Sequence, residues 1–252
     1  MNNSLVLANR LTALSDTPLV DEESVSHEVG DDMLSVVERA LLEGDTHYTV
    51  RPGVPELRRS IARTVFEAGG PTPDAEDPMD NVLITSDVSE SLFAVVLGLG
   101  LSPGTVVVSS KGACRHRGLF SLMGMETLHA GEATDTGLPI KLIYREWDSD
   151  SKMQKEALDA PSADDCIDVV DLHSSLWSGS LASFPPHEPR SLFVGSLDAL
   201  DGLSTFRVAF LMAPRDIFTR CRTWKQALSI CSAAPSQRAA LHALGPNPKE
   251  GS

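Results

Sequence analysis

The chain has 252 residues, of which 42% are hydrophobic, and carries a formal net charge of −14 at pH 7. That apolar share supports a packed core and excludes global disorder. The excess of carboxylates repels phosphate backbones and argues against nucleic-acid binding. No apolar run reaches the roughly 18 residues expected of a membrane span. The opening MNNSLVLANRLTALSD lacks the basic start, continuous apolar stretch and small-residue cleavage site of a secretory leader. A cytoplasmic protein is therefore expected, without membrane or nucleic-acid partners. Cys114, Cys166, Cys221 and Cys231 match neither a zinc spacing nor a CxxC pair, so buried reduced thiols are expected. Cys114 stands beside Lys111, Arg115, His116 and Arg117, so a reactive thiol is the alternative there.

Residues 1–30 are polar and acidic and read as an arm. From Asp31 apolar residues recur at helical spacing, with Met33, Val36, Val37, Ala40 and Leu41 on the expected buried face. Gly44 ends that helix, and THYTVRPGVP is a Pro- and Gly-rich loop. Leu57, Ile61, Val65 and Phe66 mark a second helix, which stops at Gly69-Gly70. After a linker at 71–80, strands and helices alternate. NVLITSD, TVVVSS, METLHAG, IKLIYRE, CIDVVDL, SLFVGSL and RVAFLMAP read as strands. SLFAVVLGLGL, RGLFSLMG and SKMQKEALDA read as intervening helices, and DIFTRCRTWKQALSICSA and PSQRAALHAL as closing ones. Such alternation, with continuously apolar strands like VLIT and VVV, predicts a mostly parallel sheet covered on both faces. In such sheets ligands bind at the strands' carboxyl ends. That rule selects Ser86 and Asp87, 109–113, 171–174 and 195–199.

Three segments resemble the class I/II, fold type I aminotransferases that use pyridoxal phosphate, including their aminocyclopropane-carboxylate-synthase-like branch. THYTVRPGVPELRRSIA is similar to the family's Y-x-x-x-x-G-x-x-E-L-R-x-x-I-A stretch. DNVLITSDVSESLFAVVLGLGLSPGTVVV follows its N-V-L-I-T-S-G-A-S-E-A-L pattern and the succeeding helix, turn and strand. GSLDALDGLSTFRVAFLMAP looks like its G-S-F-S-K-x-F-G-L-x-G-x-R-x-G-Y-x-x-A-P block without a gap. The resemblance implies an α/β, three-layer transferase-like large domain. Its seven-stranded sheet would run 3-2-4-5-6-7-1 with the last strand antiparallel. The expected organisation is an arm and helix over 1–45, the large domain over 46–245 and a tail over 246–252. A C-terminal small domain, present in full-length members, is expected to be absent.

The resemblance also assigns roles, residue by residue. The amine that holds the cofactor and moves the substrate proton falls on Ala199, which can do neither. Lys225 lies in a later helix and is a poor substitute. His173 is the weak candidate for a replacement base. Asp171 matches the aspartate that pairs with the cofactor's ring nitrogen, although a plain turn aspartate fits equally well. Ser86, Asp87 and Val88 match the phosphate-cradling turn at a helix N-terminus. The family has a small residue where Asp87 stands, and a carboxylate there would cap the helix and repel a phosphate. Ser196 and Arg207 match the remaining phosphate contacts. Arg207 is either a phosphate clamp or the partner of a carboxylate such as Asp87. The stacking aromatic falls near Ala113, and the family's asparagine motif has no counterpart, IYREWDSD being the nearest stretch.

These departures predict a degenerate relative without lysine-based transamination and without bound cofactor, serving as a scaffold, regulatory or partner subunit. It would act as a homodimer or beside an active aminotransferase-like protein. The alternative is a biosynthetic enzyme, lyase- or transferase-like, that holds pyridoxal phosphate noncovalently. Such an enzyme could instead use the cleft for other chemistry through His173, Asp171, Cys114 or His116. A third possibility is the product of an eroding or mis-spliced gene.

Overall fold

The computed structural model describes residues 29–71, 78–101, 104, 106–109, 114–129, 140–147, 166–172, 176–177, 184–185, 187, 190–200 and 202–245. The arm before 29, the polar helix expected over 151–160, His173, Ala113 and the tail from 246 lie outside them. Two helices come first, α1 (Asp31–Leu42) and α2 (Pro55–Glu67). The remaining elements are β1 (Val82–Thr85), α3 (Val88–Leu99), β2 (Val106–Ser109), α4 (Arg117–Leu122), β3 (Glu126–His129), β4 (Ile140–Glu146), β5 (Ile167–Asp171), β6 (Leu192–Ser196), β7 (Ala209–Met212), α5 (Arg215–Ser229) and α6 (Ala234–Ala243). All seven expected strands are present.

The strands form one sheet in the order β3-β2-β4-β5-β6-β7-β1. Pairing is parallel from β3 to β6, whereas β7 runs antiparallel to both β6 and β1. Consecutive strand residues enter opposite cores, as a period of two requires. Val82 and Ile84 pack with α1, α2 and α6, while Leu83 packs with α3, α4 and α5. Phe210 and Met212 share the first core, and Ala209 and Leu211 the second. Both faces are therefore apolar, which is why these strands read as unbroken hydrophobic runs. The fold is α/β with three layers, helix on sheet on helix. Each fully buried residue such as Ile84 or Phe193 contributes about 2 kcal/mol.

The helices follow the expected periodicity with two exceptions. Leu41 is 45% exposed and Phe66 is 50% exposed. Met33 and Ala40 are the buried residues of α1, and Leu57, Ile61 and Val65 line the buried stripe of α2. Leu41 and Phe66 each follow a buried residue by one position. One helical step turns a side chain about 100° away from the core-facing stripe. The thiols also depart in part from expectation. All four are free, but only Cys114 and Cys221 are buried, while Cys166 and Cys231 are half-buried. Burial pushes the Cys221 thiol up to about 12 and, with the charge of Asp168, the Cys166 thiol up to about 11. Cys114 belongs to the apolar core between the sheet and α3.

Two glycines shape the two ends of the β1–α3 unit. Gly53, at φ 117°, lets the loop before α2 lie on β1, where an added Cβ would collide with the Ile84 side chain. Its neighbour Pro52 accepts the Ile84 N–H at 2.9 Å. Gly100, at φ 66°, ends α3 in the left-handed conformation that a side chain disfavours.

Candidate active site

The topology gathers one end of six strands. β1, β5 and β6 point the same way, so Ser86, Asp171 and Ser196 emerge together. Because β7 runs backwards, Arg207, just before its start, arrives at that same end. Ser196 pairs in register with Ala209. Two groups of polar side chains result.

The first surrounds the N-terminus of α3. Asp87 caps the helix, its Oδ1 accepting the Ser89 N–H at 2.6 Å. Its Oδ2 accepts from Arg207 Nη2 at 2.9 Å. Glu90, three residues on, reaches back and accepts the Ser86 N–H at 2.7 Å. Asp87-Val-Ser-Glu90 is thus a variant of the capping box: Asp87 satisfies an amide of the first turn, while Glu90 holds the amide of Ser86, one residue before the cap. Val88 contributes its side chain to the apolar core. Behind the box stands Lys225 of α5, fully buried. Its Nζ lies 3.3 Å from Glu90 Oε1 and donates to Ser229 Oγ at 2.8 Å, and Ser229 donates to the same Glu90 oxygen at 2.6 Å. Burial opposes ionisation of Glu90. The Ser229 and Ser86 donors and the charge of Lys225 outweigh it, and the pKa falls below the ordinary 4.5.

Arg207 occupies the left-handed region, at φ 50° and ψ 72°. For a residue with a side chain that backbone costs about 1 kcal/mol. The arginine is 65% exposed, against 35% for Asp87, so their pair sits at the rim, where solvent weakens it.

The second group is a buried floor at the carboxyl ends of β4 and β5. Asp171, the last residue of β5, is 1% exposed. Tyr144 of β4 donates its hydroxyl to Asp171 Oδ2 at 2.6 Å. His116, just before α4, lays its ring edge-on to Tyr144 with centroids 5.7 Å apart. Its Nε2 stands 3.9 Å from Asp171 Oδ2 and is buried without a hydrogen-bond partner. Its Nδ1 lies 3.2 Å from Ser89 Oγ, which links the floor to the α3 corner. Burial drives the His116 pKa below its ordinary 6.5, against the pull of Asp171, so the ring is neutral near pH 7. Burial and the same carboxylate push the Tyr144 hydroxyl well above 10. The floor therefore pairs a neutral imidazole with a phenol that keeps its proton.

Ala199 lies in the exposed turn after β6, between Asp198, whose N–H bonds Ser196 Oγ at 3.1 Å, and Leu200. Among the described residues no cluster of histidine, cysteine, aspartate and glutamate suits a metal ion. Also among them, no helix is long and apolar enough to cross a membrane.

No protein-family model matches the chain. Solved structures do. N-succinyldiaminopimelate aminotransferase from Mycobacterium tuberculosis is similar at 18% identity and TM-score 0.71, over 97% of this chain and 70% of that one. An Escherichia coli protein with a methionine aminotransferase function is similar at 14% identity and TM-score 0.70, over 96% and 71%. An archaeal alanine:glyoxylate aminotransferase is similar at 20% identity and TM-score 0.67, over 97% and 72%.

This chain has the aminotransferase fold.

On that fold, Ser86, Asp87, Ser196 and Arg207 meet at one end of the sheet, with Asp171 at the same end. His173 lies outside the described residues. Tyr144, Ser89 and Glu90 are site residues that the sequence did not single out. Glu90 had a local signal, the aspartate three positions before it in a capping-box pattern. Tyr144 had none, because a tyrosine inside an apolar strand reads as core until its neighbour strand is known.

Proposed function

We propose that this aminotransferase-fold chain does not carry out lysine-based amine transfer and serves as a scaffold or partner subunit. The observation that carries this reading is the Asp87 carboxylate at the α3 N-terminus, bound by both Ser89 N–H and Arg207. A pyridoxal phosphate cofactor needs an amine for attachment, a cradle open to its phosphate and a carboxylate for its ring nitrogen. Ala199 supplies no amine. The cradle carries a negative charge of its own, and the arginine suited to clamp a phosphate is already engaged. Asp171 stands where a ring partner is wanted, but its Oδ2 holds the Tyr144 hydroxyl. Taken together, these residues do not fit the cofactor.

The resemblance to the aminocyclopropane-carboxylate-synthase-like branch belongs to this proposal, as does assembly as a homodimer or beside an active relative. Support for a partner surface comes from Tyr48 and Val50, which are 76% and 58% exposed. They ride on a loop that Gln237 anchors through Thr49 and the Val54 N–H. A second reading, an enzyme that uses the cleft differently, is favoured by the buried His116–Asp171–Tyr144 floor.

Titration of the purified chain with pyridoxal phosphate, followed by absorbance and dialysis, tests the reading. The wild type and Ala199→Lys should both emerge colourless. A stoichiometric yellow species that survives dialysis of the wild type would overturn the proposal. Retained colour in Ala199→Lys alone would mean that the phosphate cradle is still open.

A further inference from the structure

We infer that Asp87 is an intramolecular stand-in for a phosphate group, and that it sets the cleft's selectivity against phosphate-bearing ligands. This deepens the reading above and rests on it.

The geometry supports a ligand-like role rather than a simple cap. One carboxylate oxygen faces the helix, at 2.6 Å from Ser89 N, and the other faces Arg207 Nη2 at 2.9 Å. The carboxylate thus bridges a backbone donor and a guanidinium 120 residues away in sequence. A bound oxyanion satisfies the same two kinds of donor at a helix N-terminus. Arg207 keeps its place there despite a left-handed backbone at φ 50°, which an ordinary rim arginine has no need to adopt.

The rest of the corner does not depend on Asp87. Glu90 holds the Ser86 N–H and is itself locked by buried Lys225 and by Ser229. The turn should therefore persist when the Asp87 side chain is removed. The backbone at 87 is extended, at φ −166° and ψ 157°, so any residue fits without strain. Loss of this one carboxylate would leave the Ser89 amide and the Arg207 guanidinium facing a partly exposed rim without a counter-charge. A second anion entering the wild-type site must displace the aspartate or sit beside it, where the like charge disfavours it, less at this rim than in a buried site.

Inorganic phosphate is the probe, titrated calorimetrically into the full chain at constant ionic strength set with chloride. Asp87→Gly should bind phosphate at least tenfold more tightly than the wild type. Asp87→Gly combined with Arg207→Met should lose that gain. Asp87→Asn keeps a good cap without the charge and should show an intermediate gain, which preserves the test if the glycine variant folds poorly. The inference is overturned if folded Asp87→Gly and Asp87→Asn bind phosphate no better than the wild type. It is equally overturned if the gain survives removal of Arg207. The two failures are distinguishable. A wild type that retains pyridoxal phosphate sinks both the functional reading and the inference, whereas the phosphate affinities of the variants decide the role of Asp87 alone.

Discussion

The two halves of the site surround their carboxylates differently. At the α3 corner every charge has a countercharge: Asp87 with Arg207, and Glu90 with Lys225. On the floor a carboxylate is buried at 1% exposure among a phenol and a neutral imidazole. The corner is closed upon itself and suited to stability. The floor holds a hydrogen-bonded carboxylate and phenol beside an imidazole whose Nε2 has no hydrogen-bond partner. The carboxylate at the corner is met by a backbone amide and a guanidinium, whereas the one on the floor is met by a phenol from the neighbouring strand.

The largest expected effect breaks the corner. Lys225→Met removes a fully buried cation and leaves the hydrogen-bonded Glu90–Ser229 pair without its countercharge. Breaking a buried pair from one side costs about 3–5 kcal/mol, and denaturant unfolding should show a loss near the lower end, because Glu90 retains some exposure. A loss below about 1 kcal/mol would mean that the pair is a surface interaction.

Tyr144→Phe tests the floor next. It keeps the ring packed against His116 and Phe120 but removes the hydroxyl from a buried carboxylate. Hydrogen bonds to charged groups contribute about 1.5–3 kcal/mol, and a loss in that range is expected from chemical denaturation. A neutral effect would show that another donor already satisfies Asp171.

The smallest effect is a pH dependence that separates the two halves. His116 has its folded pKa lowered by burial, so the unfolded chain binds more protons in the window below 6.5. Stability rises with pH where the unfolded state binds more protons, so it should fall as pH drops below about 6.5. Glu90, with a folded pKa also below its ordinary value, contributes stability that is present above 4.5 and lost as pH falls further. The expected profile declines in two stages, floor first and corner second. His116→Phe should remove the first stage and leave the second, as followed by thermal unfolding from pH 7.5 to 4. Persistence of both stages in that variant would reassign the first to another group.

Much of the fold was legible in sequence. Val82–Thr85 and Ala209–Met212 are unbroken apolar runs, and only strands covered on both sides tolerate that. The site was legible where a local rule applied. The Asp87 cap is short-range chemistry. The floor was not legible. Tyr144 and Asp171 are 27 residues apart, and His116 meets both only because α4 starts above the strands that carry them.

The amino-acid sequence by itself determined the strands, their double-sided burial and the chemical identity of position 199. Each of these depends on residues within a few positions of one another. Only the tertiary structure decided what each polar side chain faces. Reversal of β7 delivers Arg207 to Asp87, and the pairing of β4 with β5 delivers Tyr144 to Asp171. Periodicity records which way a side chain points from its own element. Its partner depends on which element the topology sets alongside, and that information is spread over the whole chain.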